Sequence, residues 1–443
     1  MKTALRQNGA SFFGWVLLIL IVGGAITLAD LHVIHQRGLF SELTSTLALA
    51  EQAIRQNGLP RTAFYPPLVM FLILGLRYFG VDAVNPWVFN LSLLSLGLAA
   101  VWILSAFLLK ETRDAFIVVL LALLNPYFVW TLLLSRDASA ELLFLSLTLL
   151  LAVITRRAAE NAGFRTKKLL GFGVVGSAVL LCLTRVTGFF MAFALFLLTL
   201  GQSQQRRERR FWLFILAAFG VFTLAFCSYN YLRVGSFALA TNGGYNLYLG
   251  NHPAYLHAHP HYDVDVFLAR PAGAENFESL SEAERDKAYT RKALRFIADD
   301  PPAFLYRLLV KSIWHWFNLE KIPNYTTLSF MEDRALIAHL APIDVLPGLA
   351  YFLYKLAYLP LFIYSVILIF RRNIDRLYAL LYAPLLGLWP VVVLTFPDTR
   401  FKINAEILTL PAMVAAWKLF IQSRKKNANK TIGYQENFQT RKV

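Results

Sequence analysis

Carboxylates, guanidinium groups and an ammonium recur in this sequence where long apolar runs begin or end. Asp30 closes the first such run, and Glu42 and Glu51 follow in the polar stretch after it. Arg136, Asp137 and Glu141 stand together in SRDASAELLF, and Arg185 interrupts the apolar LTRVTGFF. Arg400 and Lys402 open the last apolar run in PDTRFKINAE, which also holds Asp398 and Glu406. Acid side chains of this kind act as general bases or hold a divalent cation. Arginine and lysine grip phosphate, arginine through two parallel N–H groups at once. Together they suit chemistry on a phosphate-bearing lipid, with the head group at the level of the charges and the tail between apolar helices.

Each residue also has a plainer reading. Asp30 and Arg136 stand at segment ends, where charge is common. Glu42 falls in SELTSTLALAEQAI, whose spacing is that of an amphipathic helix, so it also suits a solvated face. Arg400 and Lys402 suit interfacial anchors. Glu141 and Arg185 start or interrupt apolar runs, where an ionisable group is costly and ordinarily serves a purpose. His252, His257, His259 and His261 follow an H-x4-H-x-H-x-H spacing that matches no metal-ligand pattern, and read as solvated loop residues.

The elements that must position these groups are apolar. The 443 residues are 57% hydrophobic, with a mean hydropathy of +0.52, too apolar for a soluble protein of average composition. Apolar runs lie near 12–29, 65–80, 86–109, 114–134, 141–155, 169–183, 186–201, 211–231, 347–370, 377–396 and 404–421. Most approach the roughly 20 residues a membrane helix needs. The net charge of +16 does not point to nucleic acid, because the basic residues gather in short loops, as the positive-inside rule predicts. The partner implied is a lipid bilayer. Cys182 and Cys227 lie inside apolar runs and read as core residues. The first run lacks a small-x-small cleavage pattern and reads as a retained anchor.

Loop 155–168 carries Arg156, Arg157, Arg165, Lys167 and Lys168 and belongs in the cytoplasm by its charge. That requires one earlier run not to cross. Run 65–80 is short, begins with Pro66-Pro67 and contains Arg77, so we expect an interfacial helix there. About ten transmembrane helices remain, with both termini cytoplasmic. Segments 1–11, 110–113, 155–168, 202–210, 371–376 and the tail from 422 form the inside set and hold about half of the 43 Lys and Arg. Runs 169–183 and 186–201 are each short enough to merge into one tilted helix, but the basic loop 202–210 favours two. The expected organisation is an N-terminal membrane module over 1–231 with a first outer loop 30–85, an outer region 232–346, C-terminal membrane helices 347–421, and a basic tail 422–443. In the outer region Ser281 and Glu284 have capping-box spacing. Helices are expected on both sides of Pro301-Pro302, resting on the membrane. The first carries a stripe of Ala288, Ala293, Leu294 and Ile297. The second carries Phe304, Leu305, Leu308, Leu309 and Ile313 on one face.

Five segments, taken in order, carry a family resemblance. In the opening loop Glu42, Thr46 and Ala50 share a helical face, followed by Gly58 and Pro66-Pro67. Next come NPYFVWTLLLSRDASAELLFLSLTLL with Glu141, and LTRVTGFF with Arg185. Then come SYNYLRVGSFALATNGGYNLYLGNHP and DTRFKINAEILTLPAM. This set resembles the GT-C superfamily of integral membrane glycosyltransferases, most closely glycosyltransferase family 39, which includes protein O-mannosyltransferases and the aminoarabinose transferase of lipid A. The resemblance implies an all-α polytopic, GT-C-like helical bundle in a bacterial inner membrane. It implies inverting transfer of a sugar from a polyprenyl-phosphate donor to a lipid, glycan or protein acceptor outside the cytoplasm. The first-loop acid is the base in that family, here Glu42, with Asp30 as the alternative. Asp137 and Glu141 would orient the acceptor or hold a metal, and Arg185, Arg400 and Lys402 would bind the donor phosphate. Some members of the family need a divalent metal, Mg or Mn. Two other readings stand beside this one: a lipid-linked glycan transporter, and an inactive relative serving as a structural subunit.

Overall fold

The computed structural model describes residues 62–63, 67–79, 86–125, 128, 131, 137–158, 164–258, 277–317, 345–395 and 399–423. Asp30, Glu42 and Arg136 lie outside this set. Every regular element among the described residues is helical. In the first half these are α1 (Leu68–Tyr78), α2 (Pro86–Leu109), α3 (Thr112–Leu123), α4 (Ala138–Ala158), α5 (Phe164–Thr184), α6 (Thr187–Gln202) and α7 (Arg206–Val234). The outer region contributes α8 (Gly243–Asn251), α9 (Tyr255–Ala258), α10 (Glu282–Asp299) and α11 (Pro301–Phe317). The chain then forms α12 (Val345–Phe370), α13 (Ala383–Leu394), which follows 3-10 turns over Arg376–Tyr382, and α14 (Thr399–Ile407). A last helix, α15, covers 410–423.

The chain is a multi-pass membrane protein. Among the described residues six segments are long and apolar enough to cross a bilayer: Val88–Leu109, Ala138–Ala158, Thr166–Thr184, Arg206–Val234, Arg376–Leu394 and Phe401–Ser423. Thr187–Gln202 is a shorter apolar helix, and Tyr354–Phe370 is an apolar part of α12. Of the remaining expected crossings, 12–29 lies outside the described residues, and within 114–134 the helix α3 stops at Leu123. Helix α1, in the run expected at the interface, has 11 residues, about 16 Å at the α-helical rise and too short to span.

Side-chain bonds at both ends of the bundle set the helix directions. Arg185, between α5 and α6, pairs with Asp137 at the start of α4. Arg156, in the last turn of α4, donates to Gln202 at the end of α6. So α4 and α6 run the same way and α5 runs back between them: runs 169–183 and 186–201 are two helices joined by a tight turn at Arg185. The inside loops of the charge analysis meet at one end. Arg157 donates to the carbonyl of Phe107 at 2.9 Å and lies 3.9 Å from Asp375. Tyr378 reaches the carbonyl of Leu108, and Lys418 pairs with Glu111 and Asp114.

Segments expected outside the cytoplasm meet at the other end. Ala63, in the first outer loop, donates its N–H to Glu282 of α10 at 2.7 Å and accepts from Thr241 N–H at 3.0 Å. Helix α8 rests on the end of α13 so closely that a Cβ at Gly250 would lie 1.5 Å from the carbonyl oxygen of Thr395. A Cβ at Gly387 of α13 would likewise lie 2.2 Å from the carbonyl oxygen of Phe190 in α6. Only glycine permits either approach. On the bundle's flank α7 exposes Phe214, Val221, Leu224 and Leu232, a face suited to lipid.

Helix α10 begins with the expected capping box: Ser281 Oγ accepts from Glu284 N–H, and the Glu284 carboxylate accepts from Ser281 N–H at 3.0 Å. Helix α11 is inverted relative to a helix on a soluble core. Arg307, Lys311 and His315, one turn apart, are buried, whereas Leu305, Leu309 and Ile313 of the apolar stripe are exposed. An apolar face turned outward is what lipid requires. The inward Lys311 needs acceptors, and the free carbonyls of Val393 and Thr395 at the C-terminal end of α13 supply them.

Candidate functional site

At the end of the bundle opposite the basic loops the starts of α4, α6 and α14 converge. Arg185 Nε and Nη2 bind the two oxygens of Asp137 at 3.0 and 2.9 Å. Its Nη1 lies 3.3 Å from Glu141 Oε2. Glu141 is fully buried and also accepts from Asn404 Nδ2 at 2.8 Å and Thr187 Oγ1 at 3.3 Å. Asn404 Nδ2 also donates to the carbonyl of Ala138 at 2.9 Å. The guanidinium carbon of Arg185 lies 5.4 Å from the centre of the Phe401 ring, within cation–π range. Glu141 has no exposed side-chain surface, while Arg185 and Asp137 each keep 11%. The Arg185–Asp137 edge is therefore the part of the cluster a ligand can reach.

The local sequence explains the placement. Asp137 immediately precedes α4 and Glu141 falls in its first turn, where helix N–H groups favour negative charge, and the last turn carries Arg156 and Arg157. Arg185 is at the α5–α6 turn because the helix ends there; its carbonyl accepts from Gly188 N–H at 2.9 Å. Phe401 and Asn404, three residues apart on α14, share the face turned to this cluster.

The other expected site residues are distributed as follows. Lys402 is not in the Arg185 cluster. Its ammonium donates to the carbonyls of Trp314 and His315 at 3.0 and 2.6 Å, at the C-terminal end of α11. Arg400 lies in the first turn of α14, and its side chain is outside the described set. Glu42 and Asp30 are outside it altogether. His252, one of the four loop histidines, packs edge-on against Tyr248 and Phe296; burial and the charge of Lys292 lower its pKa.

Three buried groups escaped the sequence reading. Lys355 of α12 pairs with Glu406 of α14 at 2.6 Å, with its Nζ 4.5 Å from the Tyr358 ring centre. Lys311 donates to the carbonyls of Val393 and Thr395 at 3.0 and 2.7 Å. Burial pushes its pKa down to about 7, and the charge of Arg307 adds to the shift. His315 Nε2 lies 3.3 Å from the carbonyl of Leu385, and burial pushes its pKa down to about 3. Lys402 and Lys311 thus form a chain of caps: α14 caps α11, and α11 caps α13. Its sequence signal was a basic residue every fourth position in α11.

The arrangement can bind an anion at the Arg185 edge or move a proton at Asp137. It is not preset for a divalent cation: Asp137 and Glu141 converge on a guanidinium, which a metal would have to displace. Among the described residues no three His, Cys, Asp or Glu side chains gather as ligands. Comparison with known proteins gave no matching family model, no matching curated protein and no matching solved structure.

Proposed function

We propose that this protein is a GT-C-type membrane glycosyltransferase acting at the end of the bundle opposite the basic loops. The observation that carries the reading is the convergence there of Asp137, Glu141, Arg185 and Asn404 from three membrane helices. In this reading the acceptor hydroxyl attacks the anomeric carbon of a polyprenyl-phosphate sugar. The new C–O bond forms as the old one breaks, and the polyprenyl phosphate leaves with the electron pair. The hydroxyl proton passes to a first-loop carboxylate, Glu42 or Asp30. The donor phosphate shares the Arg185 guanidinium with Asp137, since both oxyanions suit its two-pronged geometry. Glu141 and Asn404 hold that guanidinium in place, and Arg400 adds positive charge from α14.

The same end carries the tie from Ala63 to Glu282 and Thr241, which supports placing the first-loop acids on the site's side. A transporter of lipid-linked glycans is the second reading, favoured by the Lys355–Glu406 pair, a buried charge pair within the bundle. Proteoliposomes given a labelled polyprenyl-phosphate sugar and an acceptor extract separate the two. Transferase activity that falls in Glu42→Gln or Asp30→Asn supports the first. Label crossing the bilayer without transfer supports the second. Full transfer by both variants overturns the mechanism.

A further inference from the structure

We propose that a cavity at the basic end of the bundle seats a phosphate ester, and that its occupant is the head group of an acidic phospholipid. The cavity, of about 590 Å³, is bounded by Arg156 and Arg157 of α4, Gln202 of α6, Gln205 and Glu208 at the start of α7, and the segment 375–377. That volume lies within the range of small-molecule sites. It is one length of α6 away from the Arg185 cluster; the 16 residues of that helix measure about 24 Å. It therefore plays no direct part in the chemistry proposed above.

Its two arginines are held in place before any ligand arrives. Arg156 donates from both terminal nitrogens to Gln202, to the side-chain oxygen and to the main-chain carbonyl. The Arg157 guanidinium carbon lies 4.6 Å from the Phe107 ring centre, and its Nη1 donates to the Phe107 carbonyl at 2.9 Å. A guanidinium has five N–H donors, so each keeps donors for an anion. A second, independent feature points the same way. Helix α7 runs for 29 residues, and its N-cap, Gln205, makes no side-chain cap bond. Gln205 and Glu208, at the start of that helix, line the cavity, and a helix N-terminus favours phosphate.

The charges around the cavity also favour an anion. Arg156, Arg157 and Arg376 stand against Glu208 and Asp375 in its wall. Asp375 is already engaged by Leu377 N–H at 2.9 Å. Exposed arginines at 206–207 and 371–372 extend the positive field around the mouth. Because α4 and α6 end here, the cavity opens at the level of the membrane surface, where lipid phosphates lie. Basic pockets between membrane helices bind anionic head groups.

The test uses the full-length protein in detergent and native mass spectrometry. It is titrated with phosphatidylglycerol, phosphatidylcholine, inorganic phosphate and glycerol 3-phosphate. Phosphatidylglycerol is expected to bind at least tenfold more tightly than phosphatidylcholine. The preference is expected to disappear in the double variant R156Q/R157Q. Because that variant removes structural bonds, Gln205→Glu serves as its partner: it breaks no bond seen in the structure, places a negative charge at the helix start, and is expected to weaken binding about tenfold. The control R209Q/R210Q should stay within threefold of wild type. Glycerol 3-phosphate or inorganic phosphate binding with the same dependence on Arg156 and Gln205, and no lipid binding, overturns the lipid source and keeps the phosphate site. Equal retention of both lipids in wild type and variants, or an equal loss in the control, overturns the site itself.

Discussion

Arg185 and Asp137 are 48 residues apart in sequence and meet edge to edge, Nε and Nη2 against the two carboxylate oxygens, at 3.0 and 2.9 Å. This bond pins the α5–α6 turn to the start of α4. With Glu141 beneath it and Asn404 alongside, it is where the first half of the bundle meets the last span.

Breaking this pair from one side should be costly. Arg185→Met leaves Asp137 and Glu141 near each other with their cation gone, and should destabilise the protein by about 3–5 kcal/mol. The triple variant R185M/D137N/E141Q removes all the charges and should recover most of that loss, as measured by thermal unfolding in detergent. If transfer activity returns with stability, Arg185 is a structural brace and not a phosphate ligand.

Lys311 gives the protein a pH dependence of definite sign. Its folded-state pKa of about 7 lies below the ordinary lysine value of 10.5, so between these pH values the unfolded chain binds more protons than the folded one. Its contribution to stability therefore rises with pH across that window and is constant below it. The neutral amine keeps two N–H groups for the carbonyls of Val393 and Thr395. The difference in unfolding temperature between wild type and Lys311→Met should grow in favour of wild type from pH 7 to pH 10. A difference independent of pH contradicts the assignment.

Much of this organisation was legible in the sequence, because apolar runs and loop charge obey strong rules. Loops 110–113, 155–168, 202–210 and 371–376 meet at one end, and Ser281 and Glu284 form their box. Glu141 and Arg185 stood out because nothing local explained a charge there. The caps formed by Lys311 and Lys402 were half legible: Arg307, Lys311 and His315 recur every fourth position in α11, but the acceptors are main-chain carbonyls, which have no signature in side-chain identity. Lys355 was hidden for a similar reason: a lone lysine in YFLYKLAYLP is read only once Glu406 is placed opposite it. The period of α11 was visible, but its inward face was not, because in a membrane protein the apolar stripe can turn outward.

The close approach at Gly250 makes a simple prediction. Gly250→Ala forces α8 away from the carbonyl of Thr395 and should destabilise the outer region by about 1–3 kcal/mol. Gly243→Ala, with nothing within 4 Å of its added Cβ, should be neutral in the same helix. Limited proteolysis of the outer region separates the two. Equal resistance would contradict the packing of α8 on α13.

Lys110 and Arg372 have positive φ, 61° and 59°, where α2 and α12 end at the basic side. Glycine is the usual residue in such caps. Lys110→Gly and Arg372→Gly should each relieve about 1 kcal/mol of backbone strain while removing one of the charges that orient the chain in the membrane. Higher unfolding temperatures with a larger fraction of inverted molecules, read by cysteine accessibility, are expected. Unchanged orientation in the double variant would show that the remaining loop charges suffice.

The transfer reaction itself is tested most directly in cells. Lipids and surface glycans are compared by mass spectrometry with and without the protein, and with Arg185→Lys, which keeps the charge but loses the two-pronged bond. We expect loss of one sugar-bearing species, accumulation of its undecorated acceptor, and the same pattern in the variant. Identical lipid and glycan profiles with and without the protein would contradict a glycosyltransferase.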